Sequence, residues 1–475
     1  MRIYVELANL DAFKKEKANA EASGLLIKNL MPSVVEHFKS TYKVYSPDKN
    51  VLNMKTCGSI KDIGQYFNKQ VEADLFLFVT AVNKKTEQAI KVVPCIQDTT
   101  SGRTLAAELQ VNVYHKDDMK VLNLNNLYEM TIREVYRAIA FDAKYFKSFV
   151  KPGTSTKLGE KAVVKTDAAS KFKQQIILPP VVAYAKEYYN CTTLTGMPLE
   201  NKEGATTQWE KAVAANDIMG SAGYTNPALS KLTLAFMQGT GWFKPNMDNA
   251  ENFTWGQKAG CDLFSADCKK MKYTCKEKDN MCSPDFTTSG KCEKDAEAES
   301  CPFFHESKKG DCRATENKDK TSTVAKSLFY GPGSRCIVGK IGFEKTTQTK
   351  AMANCMKTSC KDAKTLIVTV EGKSVTCTKE GEQKKYLSGS NRFITCPDPV
   401  QFCASVKSSC PKECNFTGRC LASKKCWCFH GFKGADCSTA STDEYKFLTL
   451  NGYKSSRIFA VVGGLLSVLV AVMFV

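Results

Sequence analysis

The chain has 475 residues, 43% of them hydrophobic, and a formal net charge of +18. That length and apolar content exclude a disordered chain and predict two to four domains. The lysines are scattered along the sequence. No concentrated basic stripe with interleaved aromatics marks a nucleic-acid interface, so no nucleic-acid partner is expected. Of the 22 cysteines, three (Cys57, Cys95, Cys191) lie in the first 260 residues and nineteen lie between Cys261 and Cys437. Such density in loop-rich sequence predicts disulfides and an oxidising compartment. The cysteines are not arranged as repeated CxxC pairs, so zinc clusters are the weaker account of them.

The first twenty residues, "MRIYVELANLDAFKKEKANA", have no apolar core and carry Glu6 and Asp11. They do not read as a signal peptide, and the expectation is a chain that begins inside a longer precursor. Residues 24–45 show apolar residues at helical spacing followed by a short strand. "ADLFLFVTAV" (73–82) reads as a buried strand, and "AIKVVPCIQ" and "AAELQVNVYH" as two more, separated by the turn-like "DTTSGRT". A helix then contains Thr131–Phe141. Residues 151–172 read as a polar loop, 178–191 as a helix after a proline start, and 226–243 as another helix. Residues 263–403 are predicted to form a disulfide-stapled, cysteine-rich domain. Three sequons, at Asn190, Asn252 and Asn415, are candidate glycosylation sites.

Residues 410–437 carry six cysteines: Cys410, Cys414, Cys420, Cys426, Cys428 and Cys437. The C-x-C and the two glycines before the last cysteine resemble an EGF-like module. That resemblance implies the pairs Cys410–Cys420, Cys414–Cys426 and Cys428–Cys437. A module this small depends on its bridges for stability. Residues 438–457 read as a polar stalk. The run "IFAVVGGLLSVLVAVMFV" (458–475) is short for a bilayer span and has no following stop-transfer charges. It reads as a membrane tail or, preferably, a lipid-anchor signal, with attachment near Asn451–Ser456 or Ser438–Ser441.

The stretch "TIREVYRAIAF" (131–141) raises the functional question. Arg133, Arg137, Ala140 and Lys144 are placed on one helical face, which by itself reads as a basic solvated surface. Glu134 and Arg137, at i,i+3, suit a local ion pair.

The surrounding sequence changes that reading. "LPPVVAYAKEYYNCTTLTGMPLEN" and the stretch from "TQWEKAVAANDIMGSAGY" to "WGQKAGCDLF" resemble the leishmanolysin family of surface zinc metalloproteases. "ADLFLFVTA" and "PCIQDTTSGRTLAAELQVN" extend the resemblance upstream, so that it covers about residues 1–300. It implies an α+β, metzincin-like protease domain over residues 1–262, a twisted sheet plus an active-site helix, followed by the disulfide-rich domain and the EGF-like module.

In that family the helix carries HExxHxxGF, with a third histidine before Trp-Glu and a Met-turn beyond. Two histidines one turn apart hold one zinc, and the Glu acts as general base. Here the ligand positions are Arg133, Arg137 and Gln208, ahead of Trp209-Glu210. Glu134 occupies the general-base position, Ala140 the glycine position, and Met219 the Met-turn. Arginine has no free lone pair and stays protonated, so it cannot ligate zinc. The four histidines, His37, His115, His305 and His430, form no HExxH.

The expectation is therefore a pseudoprotease with a vestigial Glu134 and no cofactor. It would act in binding or adhesion at the cell surface, toward an unidentified protein or peptide, with the membrane reached through residues 458–475. Arg133, Arg137 and Lys144 would make the old cleft attractive to a carboxylate. The alternative is an active zinc metalloendopeptidase using oxygen donors from Glu134, Asp142 and Gln208, with proteolysis and adhesion as the family implies.

Overall fold

The computed structural model describes residues 1–7, 19–45, 56–63, 73–201, 207–221, 227–271, 273–318, 327–342, 348–407, 410–449 and 452–455. The run at 458–475 lies outside the described residues. Among those described, no helix is long and apolar enough to cross a membrane.

The central sheet is built on β1 (Ile3–Leu7), β2 (Leu75–Val82), β3 (Ile90–Gln97) and β4 (Thr104–Asn112). β1 and β4 both lie parallel to β2, and β3 closes one edge antiparallel to β4. β2 is apolar almost throughout because both of its faces are covered. Leu75, Leu77 and Val79 enter the main core, while Phe76 and Phe78 enter a second core on the opposite face. Pro94 is tolerated within β3 because β3 is an edge strand, and the register slips beside it.

Helices cover the main face. α1 (Asn19–Leu25) runs through a π-helical turn, Leu26–Leu30, into α2 (Met31–Thr41). The long helix α3 (Leu124–Ile139) places Leu124, Leu127, Ile132, Val135 and Ile139 in the main core, at the spacing of one helical face. Each such side chain contributes about 1.5–3 kcal/mol on burial. The Thr104 hydroxyl donates to the Ala138 carbonyl at 2.8 Å and ties the start of β4 to the end of α3.

α3 ends at Ile139, not at Phe141. Ala140 leaves helical geometry with φ −164°, and Asp142 caps a separate 3₁₀ turn, Ala143–Ser148, by accepting from the Lys144 N–H. The face drawn through Ala140 and Lys144 is therefore broken: the Asp142 cap competes with the helix. α4 (Pro179–Tyr189) starts on two prolines and ends on Asn190 in the left-handed conformation. The short α5 is Lys211–Ala214. α6 spans Lys231–Gly239, a narrower range than 226–243. Ser230 caps its start, and after Thr240 the chain enters a strand, Phe243–Pro245, paired with Tyr42–Val44.

Two antiparallel sheets follow. Three strands (280–282, 288–294, 302–311) make one, and six strands between residues 334 and 395 make the other, with a second apolar core around Ile337, Leu366, Val368 and Phe402. The main core does not stop at residue 262. It takes in Leu263, Met271, Phe303 and, from the six-cysteine module, Phe429. All 22 cysteines are paired. The module's bridges are Cys410–Cys420, Cys414–Cys426 and Cys428–Cys437.

The described residues between 438 and 455 include a strand pair in place of the expected polar stalk. Lys446–Thr449 lies parallel to β1, extends the central sheet, and pairs with Gly452–Ser455. Phe447 is only 1% exposed. Phe447, buried in the main core, and the edge that β1 offers explain the difference.

Candidate functional site

The C-terminal half of α3 faces the segment 207–221. Two hydrogen bonds, from Ala143 and Arg133, join the two pieces, and a third, from Trp209, closes the segment on itself. The Ala143 N–H donates to the Thr207 hydroxyl at 2.9 Å, the Trp209 N–H to the Met219 carbonyl at 2.8 Å, and the Arg133 Nε to the Ile218 carbonyl at 2.7 Å. Met219 is fully buried. Gly220 is required beside it, because a Cβ there would sit 2.5 Å from the Ala214 carbonyl oxygen.

Asp217 organises the turn from below. Its carboxyl accepts from the Met219 N–H at 2.6 Å, from the Thr233 hydroxyl at 2.7 Å, and from the Ser230 hydroxyl. Burial pushes its pKa up to about 6, against the opposing pull of these donors and of Arg133. Trp209 locks the same region from above, donating its indole N–H to Thr233 at 2.9 Å and packing edge-on to Phe141 and Phe236.

Arg133 and Arg137 are half-buried, so the solvated-face reading of this stretch does not hold. Burial, and then the neighbouring Arg137, push the Arg133 guanidinium down to about 10. It remains cationic at neutral pH. Arg137 Nη1 meets Glu134 Oε1 at 2.6 Å, and the Arg137 Nε is buried without a hydrogen-bond partner. Gln208 is buried at 6% exposure. Asp142 is taken up by the Lys144 N–H and, at 3.1 Å, by the Lys144 ammonium.

These residues do not fit a zinc ion. The two guanidinium groups offer only donors, one of them is spent on a carbonyl, and Glu134 is held by an arginine rather than by a metal-bound water. The four histidines are dispersed. His37 is buried between two tyrosine hydroxyls, each at 2.8 Å, with Nε2 on Tyr136 and Nδ1 on Tyr128. Burial, and then the charge of Arg419, lower its pKa to about 3. His115 meets the Glu87 carbonyl, His305 meets Asp295, and His430 meets the Lys28 carbonyl. Among the described residues, one set of metal-type ligands is clustered, Cys410, Cys414 and Cys426. Its sulfurs are all consumed in disulfides.

A second charged centre on α3 was not anticipated from the sequence. Arg419 of the six-cysteine module is buried against the N-terminal half of the helix. It meets Glu251 through Nε at 2.9 Å and Nη2 at 2.6 Å, and Nη1 reaches Asn125 at 2.8 Å and Glu129. Burial works against the Arg419 charge, but Glu251 and Glu129 outweigh it and hold its pKa above the ordinary value. Glu129 is shifted upward by its own burial, with Arg419 opposing.

The module is fixed elsewhere too. Glu413 pairs with Arg335 at 2.7 Å. Phe429 packs on Tyr128 at 4.6 Å, and Asn29 donates to the His430 carbonyl at 2.8 Å. No local spacing signals these contacts, since the partners lie from 78 to 401 residues apart.

Comparison with known proteins fits this arrangement. A family model described as leishmanolysin matches residues 16–299 and 286–409. The chain is 27% identical over 266 residues to a leishmanolysin-like peptidase of Caenorhabditis briggsae, covering 47% of this chain and 39% of that protein. It is 22% identical over 509 residues to a leishmanolysin-like peptidase of Drosophila melanogaster (83% and 74%). It is 24% identical over 448 residues to a leishmanolysin homolog of Crithidia fasciculata (81% and 64%). The chain thus spans less than half of the first relative and about three quarters of the second. The matched family model, together with the α3 helix, the Trp209–Met219 pairing and the sheet that supports them, places this chain in the leishmanolysin family.

Proposed function

We propose that this chain is a catalytically silent leishmanolysin relative that acts by binding, in adhesion at a cell surface, rather than by hydrolysis. One observation carries the reading. The positions that would hold zinc are Arg133, Arg137 and Gln208, and the two arginines are already committed, one to the Ile218 carbonyl and one to Glu134. Without a metal, no Lewis acid activates water, and a carboxylate paired to arginine is a poor general base at neutral pH. The three docked regions leave a rigid, disulfide-stapled scaffold suited to presenting a surface. The run at 458–475 would tether it, preferably as a lipid-anchor signal.

Zinc content tests the reading. After reconstitution with zinc and dialysis, the folded protein is expected to retain none by elemental analysis. An R133H/R137H/Q208H variant, which restores the three imidazoles beside Glu134, is expected to retain one equivalent. Stoichiometric zinc in the unmodified protein, lost on Glu134→Ala or Gln208→Ala, would overturn the proposal in favour of an active metalloendopeptidase. Release from cells by a phosphatidylinositol-specific phospholipase tests the anchor. A mature chain that still contains Phe474 rules the anchor out.

A further inference from the structure

A cavity of about 510 Å³ opens where α4, the segment 251–257 and the cysteine-rich region meet. Its wall includes a ladder of aromatic rings. Tyr184 stacks on Tyr188 at 5.4 Å, and Tyr188 lies against Phe253 at 5.2 Å. The Tyr188 hydroxyl donates to the Phe253 carbonyl at 2.9 Å and fixes the ladder to the segment beside it. Tyr184 and Tyr188 are half-buried, so their rings are not consumed by the core. Gln257 and Gln401 are exposed at the rim and bring amide donors and acceptors.

The residue next to Phe253 is Asn252, which lines the same cavity, as does Thr254. Asn252-Phe253-Thr254 is a sequon. The backbone holds Asn252 in place: its N–H donates to the Cys420 carbonyl at 3.0 Å, and the adjoining Glu251 pairs across to Leu421. Asn190 and Asn415, the other two sequon asparagines, stand exposed at the surface.

We infer that the cavity is the seat of an N-linked glycan carried by Asn252, whose first sugars lie on the Tyr184–Tyr188 ladder. Three physical points support this. Glycans are added while the chain is still unfolded, so a half-buried sequon is modified before its surroundings close. The sugar must then be housed. The eleven disulfides place the chain in the compartment where the modification occurs. A volume of this size matches a ligand site rather than a packing defect. A pyranose ring also has what the wall asks for, with apolar C–H faces for aromatic rings and hydroxyls at its edge for the amides. An unfilled aromatic wall forfeits dispersion contacts that the sugar restores.

The test uses the full chain from a glycosylating eukaryotic host. Peptide mapping reports occupancy at the three sequons, and a time course with peptide-N-glycosidase reports how readily each glycan is released from the folded protein. Asn252 is expected to be occupied and to be released roughly tenfold or more slowly than Asn190 and Asn415, because release requires a local opening. Denaturation is expected to abolish the difference. Tyr184→Ala, which removes the outer ring of the ladder, is expected to speed release at Asn252 alone. Thr254→Ala is expected to lower Tm, whereas Thr192→Ala, which removes the exposed Asn190 glycan, is not. An unoccupied Asn252, or a glycan released as fast as the other two, would overturn the inference.

Discussion

At Asn125 and Glu129, helix α3 meets a cation brought from residue 419. At Arg133 and Arg137, two turns on, it carries cations of its own. The first half is closed. Arg419 is 4% exposed on its side chain, and its carboxylate partners Glu129 and Glu251 are 8% and 5% exposed. The second half is only half-closed, with Arg137 and Glu134 at 18% and 16%. In the first half an imported charge completes a fully desolvated network. In the second, the helix's own cations are accommodated one at a time, by a carbonyl and by a neighbouring carboxylate. The same helix thus shows a closed, fully paired centre and a second stretch that retains unmet donor capacity at the Arg137 Nε.

The largest effect should come from breaking the first centre. Arg419→Ala strands Glu129 and Glu251 in the core, and is expected to cost roughly 3–5 kcal/mol in denaturant unfolding. A loss below about 1 kcal/mol would mean that the module docks through Phe429 and the backbone contacts alone.

Acid sharpens the same half. His37 has a pKa of about 3 in the folded protein and about 6.5 when unfolded. Between these values the unfolded chain holds more protons. Stability therefore rises with pH across that window and is lost as pH falls, at up to about 1.4 kcal/mol per unit. Asp217 works the other way. Its raised pKa favours the folded state at low pH, and that contribution fades as pH rises toward about 6. His37→Gln should flatten the acid limb of stability, and an unchanged slope would place the loss elsewhere.

In the second half of the helix the effects shrink. Arg133→Ala removes a charge-assisted bond to a buried carbonyl, for an expected loss of about 1.5–3 kcal/mol in thermal or denaturant melts. Arg137→Ala breaks a partly screened i,i+3 pair and is expected to cost less than about 1 kcal/mol. If Arg137→Ala proved as costly as Arg419→Ala, the distinction between the two halves would fail.

The sequence carried the parts of this picture that depend on short spacing. The continuous run Leu75–Val79 announced a strand covered on both faces, and the Glu134–Arg137 spacing announced the ion pair. The resemblance around Trp209-Glu210 and Met219 pointed to the family that the matched model shows. Other parts were not legible. The early end of α3 depends on Asp142 capping the next turn, a local contest that periodicity does not register. The strand at Lys446–Thr449 depends on β1 offering a free edge more than 400 residues earlier. Nothing near Arg419 in sequence points to Glu129 or Glu251, which lie 290 and 168 residues away. The direction of Arg133 toward Ile218, 85 residues away, is equally non-local.

The Arg419 network also sets a clock on synthesis. Glu129 and Arg419 are separated by 290 residues. At translation speeds of about 5–20 residues per second, that interval takes roughly 15 to 60 s. Throughout it, the N-terminal half of α3 has a carboxylate destined for the interior and no partner to neutralise it. The protease-like region therefore cannot reach its final packing as it emerges. A chain cut short before residue 419 leaves Glu129 and Glu251 without the cation that pairs with them in the complete fold.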